Sequence, residues 1–139
     1  MAQDRFELAV TSKMDNLQVI NDFVAQNLVK MAADSATVFH VQMAVDEAST
    51  NIIKYAYGEQ EGPLRLIMEL KDHELVITLV NWGKPFDPTV VPPPDLNAGL
   101  EDRRIGGLGM YFMRELMDEV DYSFDAVTGN RLIMKRKLS

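Results

Sequence analysis

The chain has no cysteine, so disulfide frameworks, thiolate nucleophiles and cysteine-held metals are excluded. Basic residues are scarce: 14 Lys and Arg stand against 21 Asp and Glu, for a formal charge of −7. Coating duplex DNA requires a basic footprint to neutralise phosphates, which this balance does not supply. No apolar run exceeds a handful of residues, too short to span a bilayer. The opening residues Met1-Ala2-Gln3-Asp4-Arg5 reach a charged pair where a secretory leader would have its apolar core. The expected compartment is the cytoplasm, with neither nucleic acid nor membrane as a partner. What is present is 47% hydrophobic and 25% charged residues. That is the balance of a globular chain with a core, expected as a single domain over residues 1–139.

Hydrophobic period divides the chain. Phe6, Leu8 and Val10 alternate with Glu7 and Ala9, a half-buried strand. From Asp15, Leu17, Ile20, Val24, Leu28 and Met31 recur at helical spacing until about Asp34-Ser35. A second helix is expected from about Val38 to Tyr57, striped by Val41, Ala44, Val45, Ala48, Ile52 and Tyr55, and stopped by Gly58 and Gly62-Pro63. Residues 64–81 alternate around Lys71-Asp72-His73-Glu74 as an antiparallel hairpin. The stretch from Gly83 to Gly107 carries Pro85, Pro88 and Pro92-Pro93-Pro94 without a period, and a loop of that length is commonly a lid or binding loop. After Gly109 a helix runs to about Asp118. Val120, Tyr122 and Phe124 form a strand, Thr128-Gly129-Asn130 turns, and Leu132 to Lys137 returns. The order predicts an α+β two-layer sandwich, a mainly antiparallel sheet covered on one face by helices.

Three segments carry chemistry. Glu47, Asn51 and Lys54 share a helix face at i, i+4 and i+7. Asparagine is a poor mid-helix residue, and an amide oxygen beside a carboxylate suits magnesium; a plain solvated face is the alternative. Asn81-Trp82-Gly83-Lys84-Pro85-Phe86-Asp87-Pro88 follows a strand, and its glycine admits a flat ligand or a second backbone; the alternative is an ordinary turn. Arg104-Ile105-Gly106-Gly107-Leu108-Gly109-Met110 runs from loop into helix, so bare N–H groups and the helix dipole favour a phosphate. A glycine hinge is the alternative there. It is neither a P-loop nor a dinucleotide fingerprint.

Taken together, the words AVDEASTNIIKYAY, PFDP, GGLGMYFMRELMDEV and GNRLIMKR resemble, across nearly the whole chain, the GHKL (histidine kinase-like, Bergerat) ATPase superfamily. Within it they are most similar to the small anti-sigma-factor serine/threonine kinases of the RsbW/SpoIIAB type. The resemblance implies a Bergerat sandwich binding ATP and Mg2+. It gives Asn51 the magnesium on the phosphates and Glu47 the general-base role toward a substrate hydroxyl. Asn81 and Gly83 fall at the adenine, Thr128 to Leu132 where the sheet closes behind the adenine pocket, and Gly106, Gly107, Leu108 and Gly109 in the loop around the phosphates. Arg103 and Arg104 lie where the lid brings a cation, in an open register. The implied partners are a STAS-domain anti-anti-sigma protein and a sigma factor, with a homodimer left open.

One position departs from the pattern: Asn81 stands where the family has an aspartate accepting the adenine amino hydrogen. Losing that charge-assisted acceptor costs about 1 kcal/mol or more, so ATP binding is expected to weaken or base preference to change. The rival reading is therefore a binding module that sequesters a protein partner with little or no use of nucleotide. Nine methionines, Met110, Met113 and Met117 among them, fit either an adaptable contact surface or a methionine-rich core, the commoner case. Trp82 is expected in the core, with a stacking face beside the base as the alternative, His40 at a helix start and His73 in a turn. Ser49 has no histidine at a spacing that would make a hydrolase triad.

Overall fold

The computed structural model describes residues 5–85 and 113–138. Five strands form one antiparallel sheet: β1 (Arg5–Thr11), β2 (Pro63–Lys71), β3 (Glu74–Asn81), β4 (Glu119–Asp125) and β5 (Gly129–Lys137), in the order β1-β2-β3-β5-β4. Two α-helices, α1 (Leu17–Lys30) and α2 (Ser35–Asn51), lie between β1 and β2 in sequence. The α+β sandwich expected from the pattern is the architecture found.

Alternation explains the layering. Leu64, Leu66 and Met68 of β2, Leu75, Ile77 and Leu79 of β3, and Leu132 and Met134 of β5 all turn to one side. There they meet Ile20, Val24 and Leu28 of α1 and Val41, Ala44, Val45 and Ala48 of α2. Fully burying one such leucine or isoleucine contributes about 2 kcal/mol, so this layer dominates the stability of the fold. Met68, Met113, Met117 and Met134 are buried in it, the core alternative for the methionines; Met110 lies outside the described residues.

Local chemistry sets the boundaries. Asp34 caps α2, accepting from Thr37 N at 2.7 Å. His40 is therefore inside α2 rather than at its start, correcting the sequence expectation. Asp72 and His73 both take positive φ, the two-residue turn that matches strand twist, so β2 and β3 pair without slippage. The β4–β5 connection sits earlier than expected. Asp125 Oδ1 collects the N–H groups of Val127 and Thr128 at 2.8 and 2.9 Å, and Gly129 and Asn130 already belong to β5. Residues 113–116 are helical, and Arg136 Nη1 donates to the terminal Leu116 carbonyl at 2.7 Å.

Beyond Asn51 the helix changes pitch. Ile52–Tyr57 is a π-helical stretch ended by Gly58 at φ 62°, with Gly58 N donating to Ile53 O at 3.0 Å. The expected single helix to Tyr57 is thus an α-helix followed by a wider turn, a feature concentrated at functional sites.

Candidate nucleotide site

The π-helical stretch after α2 and the segment just beyond β3 are tied together through one carbonyl. Lys84 N donates to Ala56 O at 2.7 Å, which places Gly83 against the π-helical backbone. A Cβ on Gly83 would lie 2.5 Å from Ala56 O and 2.7 Å from Ala56 C, so only glycine fits this approach. Residue 83 is therefore a glycine for backbone contact, one of the two reasons offered from sequence. Asn51 precedes Ala56 by little more than one helical turn, so the first two candidate segments belong to one locality.

Asn51 is 2% exposed. Its Nδ2 donates to Glu47 O at 2.7 Å, with Glu47 Oε2 at 3.5 Å. A carbonyl only accepts, so the amide nitrogen must face Glu47 and Oδ1 is turned away from it. Glu47 is half-buried and Lys54 exposed, so the trio is not a uniformly solvated face. The atom beside the Glu47 carboxylate is therefore the amide nitrogen, not the oxygen expected there. A single amide oxygen still fits magnesium carried on phosphates, since that ion keeps waters and takes few protein ligands. Among the described residues no cluster of three or more His, Asp or Glu side chains could cage a metal.

Asn81 lies at the end of the row Leu75-Ile77-Leu79, on the helix side of the sheet, and is buried. Its Oδ1 accepts from Gly83 N at 3.0 Å and from Asn130 Nδ2 at 2.9 Å. Asn130 Nδ2 also donates to Gly83 O at 3.0 Å, while Asn130 Oδ1 is buried without a hydrogen-bond partner among the described residues. Asn130 lies in the segment expected behind the adenine pocket, but its own part in the site is not named by the sequence. Its signal is the register Asn81↔Asn130 across β3 and β5, a non-local pairing that no window of sequence displays.

Two neighbours complete the locality. Tyr57 Oη donates to Pro63 O and accepts from Trp82 N at 2.8 Å; burial raises its ionisation above the usual phenol range, partly offset by the Trp82 N–H. Trp82 is 39% exposed, with Nε1 donating to Val127 O at 3.3 Å and its ring over Gly129. It is not a core tryptophan, correcting the expectation: the ring covers the β4–β5 turn. Ser49 is fully buried, and its hydroxyl has no hydrogen-bond partner among the described residues. Gly106, Gly107, Leu108, Gly109, Arg103, Arg104 and the Phe86-Asp87-Pro88 word lie outside the described residues.

A family model described as "Histidine kinase-like ATPase domain" matches residues 10–136. The chain belongs to that family. Its relatives include "Serine-protein kinase RsbW" of Bacillus cereus, 27% identical over 126 residues that cover 88% of this chain and 79% of the relative. The protein of the same name from Bacillus anthracis is 26% identical over the same coverage. These matches bear out the resemblance drawn from the motifs. A crystal structure of the RsbU and RsbW domains of a Mycobacterium tuberculosis protein superposes with TM-score 0.69 at 14% identity, covering 98% of this chain. The present chain spans 33% of that one, and the likeness establishes the shared fold.

Proposed function

We propose that this protein is an anti-sigma regulatory factor with serine/threonine protein kinase activity, passing the γ-phosphoryl group of ATP to a STAS-domain anti-anti-sigma protein. The observation that carries this reading is the amide of Asn51. Its nitrogen is held on the Glu47 carbonyl, so its oxygen is the atom that would meet a cation, in the same locality as the glycine contact at Gly83. Family membership and the names of the relatives support the same reading.

Phosphoryl transfer asks a protein mainly for positioning and charge stabilisation. Asn51 Oδ1 would hold magnesium, and Glu47 would orient the substrate hydroxyl and take its proton. Bound magnesium neutralises charge developing on the transferred phosphate. The amides of Gly106, Gly107, Leu108 and Gly109 would cradle that phosphate.

The test mixes the purified chain with labelled ATP, magnesium and a STAS-domain candidate, and repeats it with Asn51→Ala. Transfer to serine or threonine that disappears in the variant supports the kinase. A chain that neither transfers label nor melts higher with nucleotide is instead the sequestering module. One observation favours that second reading: the carboxylate usual in the family is missing at residue 81.

A further inference from the structure

Residues 81, 83 and 130 form a hydrogen-bonded group whose orientation is fully determined. The backbone N–H of Gly83 is a donor and nothing else, so the Asn81 side-chain atom 3.0 Å from it is oxygen. That oxygen also faces Asn130 Nδ2 at 2.9 Å. Asn130 cannot be reversed either, because the Gly83 carbonyl 3.0 Å from the same nitrogen accepts only. An amide oxygen has two lone pairs, and Gly83 and Asn130 use both. All that Asn81 has left to give a ligand is N–H. An aspartate in this position would satisfy the same two donors and still have lone pairs to spare.

Resting on the nucleotide reading above, we propose that this site selects its purine by the group at carbon 6, preferring a 6-oxo purine (hypoxanthine or guanine) to adenine. The amide of Asn81 is buried, so a ligand polar group brought against it must be complementary or remain unpaired. Adenine presents an amino group, which sets donor against donor. A 6-oxo purine presents a carbonyl, which accepts from Asn81 Nδ2. Asn130 is the positioning residue: by donating to Asn81 Oδ1 and Gly83 O together, it prevents the amide of residue 81 from turning its oxygen outward. ATP is then the weaker of the two nucleotide classes at this site.

The decisive probes are ITP and ATP, which differ only at position 6 and the adjacent ring proton. Binding of each is titrated by equilibrium methods to the full chain with magnesium. For wild type, ITP binding about tenfold tighter than ATP is expected, the size of effect produced by one unpaired buried group. Asn81→Asp, isosteric and still able to accept from Gly83 and Asn130, reverses the preference. Asn130→Ala, which frees one lone pair on residue 81, narrows it. Tighter binding of ATP by wild type, or a ratio that Asn81→Asp leaves unmoved, overturns this proposal while nucleotide binding itself stands. Failure of wild type to bind either nucleotide removes the nucleotide reading, and the base selection with it.

Discussion

Lys84 donates its backbone N–H to the carbonyl of Ala56 at 2.7 Å, joining the end of β3 to the π-helical stretch that follows α2. The bond explains the glycine before it. A methyl group on residue 83 would strike Ala56 O and C at 2.5 and 2.7 Å, and both atoms are backbone held in the helix. Gly83→Ala should therefore destabilise the fold by about 1–3 kcal/mol, the usual cost of overpacking against atoms that cannot yield. Denaturant unfolding measures it, and a loss below a few tenths of a kcal/mol would mean that the contact is slack.

Tyr57 links three segments through one oxygen, donating to Pro63 O and accepting from Trp82 N. Tyr57→Phe leaves a carbonyl and an N–H without this partner, a loss of about 1 kcal/mol. Its folded-state pKa is raised by burial. The stability held by the protonated phenol is therefore complete below its unfolded pKa of about 10 and is lost as pH rises through the higher folded value. Wild type and Tyr57→Phe should converge in melting temperature at strongly alkaline pH. A gap that stays constant from neutral into that range would contradict the assignment.

Much of this architecture was legible in the sequence because it depends on local period. Phe6-Leu8-Val10, the hairpin around Asp72-His73 and the stripe from Val41 to Ala48 each report which side of an element is buried. Asn51 and Gly83 stood out for a different reason: an asparagine inside a helix goes against local propensity, and a glycine just past a strand admits a close backbone approach. What escaped depends on distant parts of the chain. Asn130 reaches Asn81 only through the pairing of β3 with β5. The π-helical stretch keeps the apolar character of a continuing helix, so Ile52–Tyr57 reads as more of α2. Trp82 looked like core by residue type, yet the chain leaves the sheet there and the ring settles on the neighbouring turn.

Asp34 is held below the usual carboxylate range, first by the backbone N–H of Thr37, which its Oδ1 accepts at 2.7 Å. A lowered folded-state pKa means that the charged cap stabilises the fold above the unfolded value near 3.8. That contribution disappears as pH falls through the lower folded value. Asp34→Asn keeps the capping geometry but not the charge at the α2 N-terminus. It should melt below wild type at neutral pH, with the difference closing in acid below that range. Thermal melts of both proteins across that range check the sign, and a difference that widens in acid would reverse it.

Asn51 and Glu47 offer a test of cation binding that needs no phosphoryl transfer. With Asn51 Nδ2 only 3.5 Å from Glu47 Oε2 and 2.7 Å from Glu47 O, Asn51→Asp replaces a donor with a carboxylate facing two acceptors. In chelator the variant should melt below wild type, because like charges this close cannot both ionise without cost. Magnesium alone should then restore it, since paired carboxylates make a hard-cation site without help from phosphates. Wild type, with an amide in place of the second carboxylate, should show little response to the metal until nucleotide is added. A variant indifferent to magnesium would separate residue 51 from any cation and leave its amide as a hydrogen bond within the helix, where α pitch gives way to π.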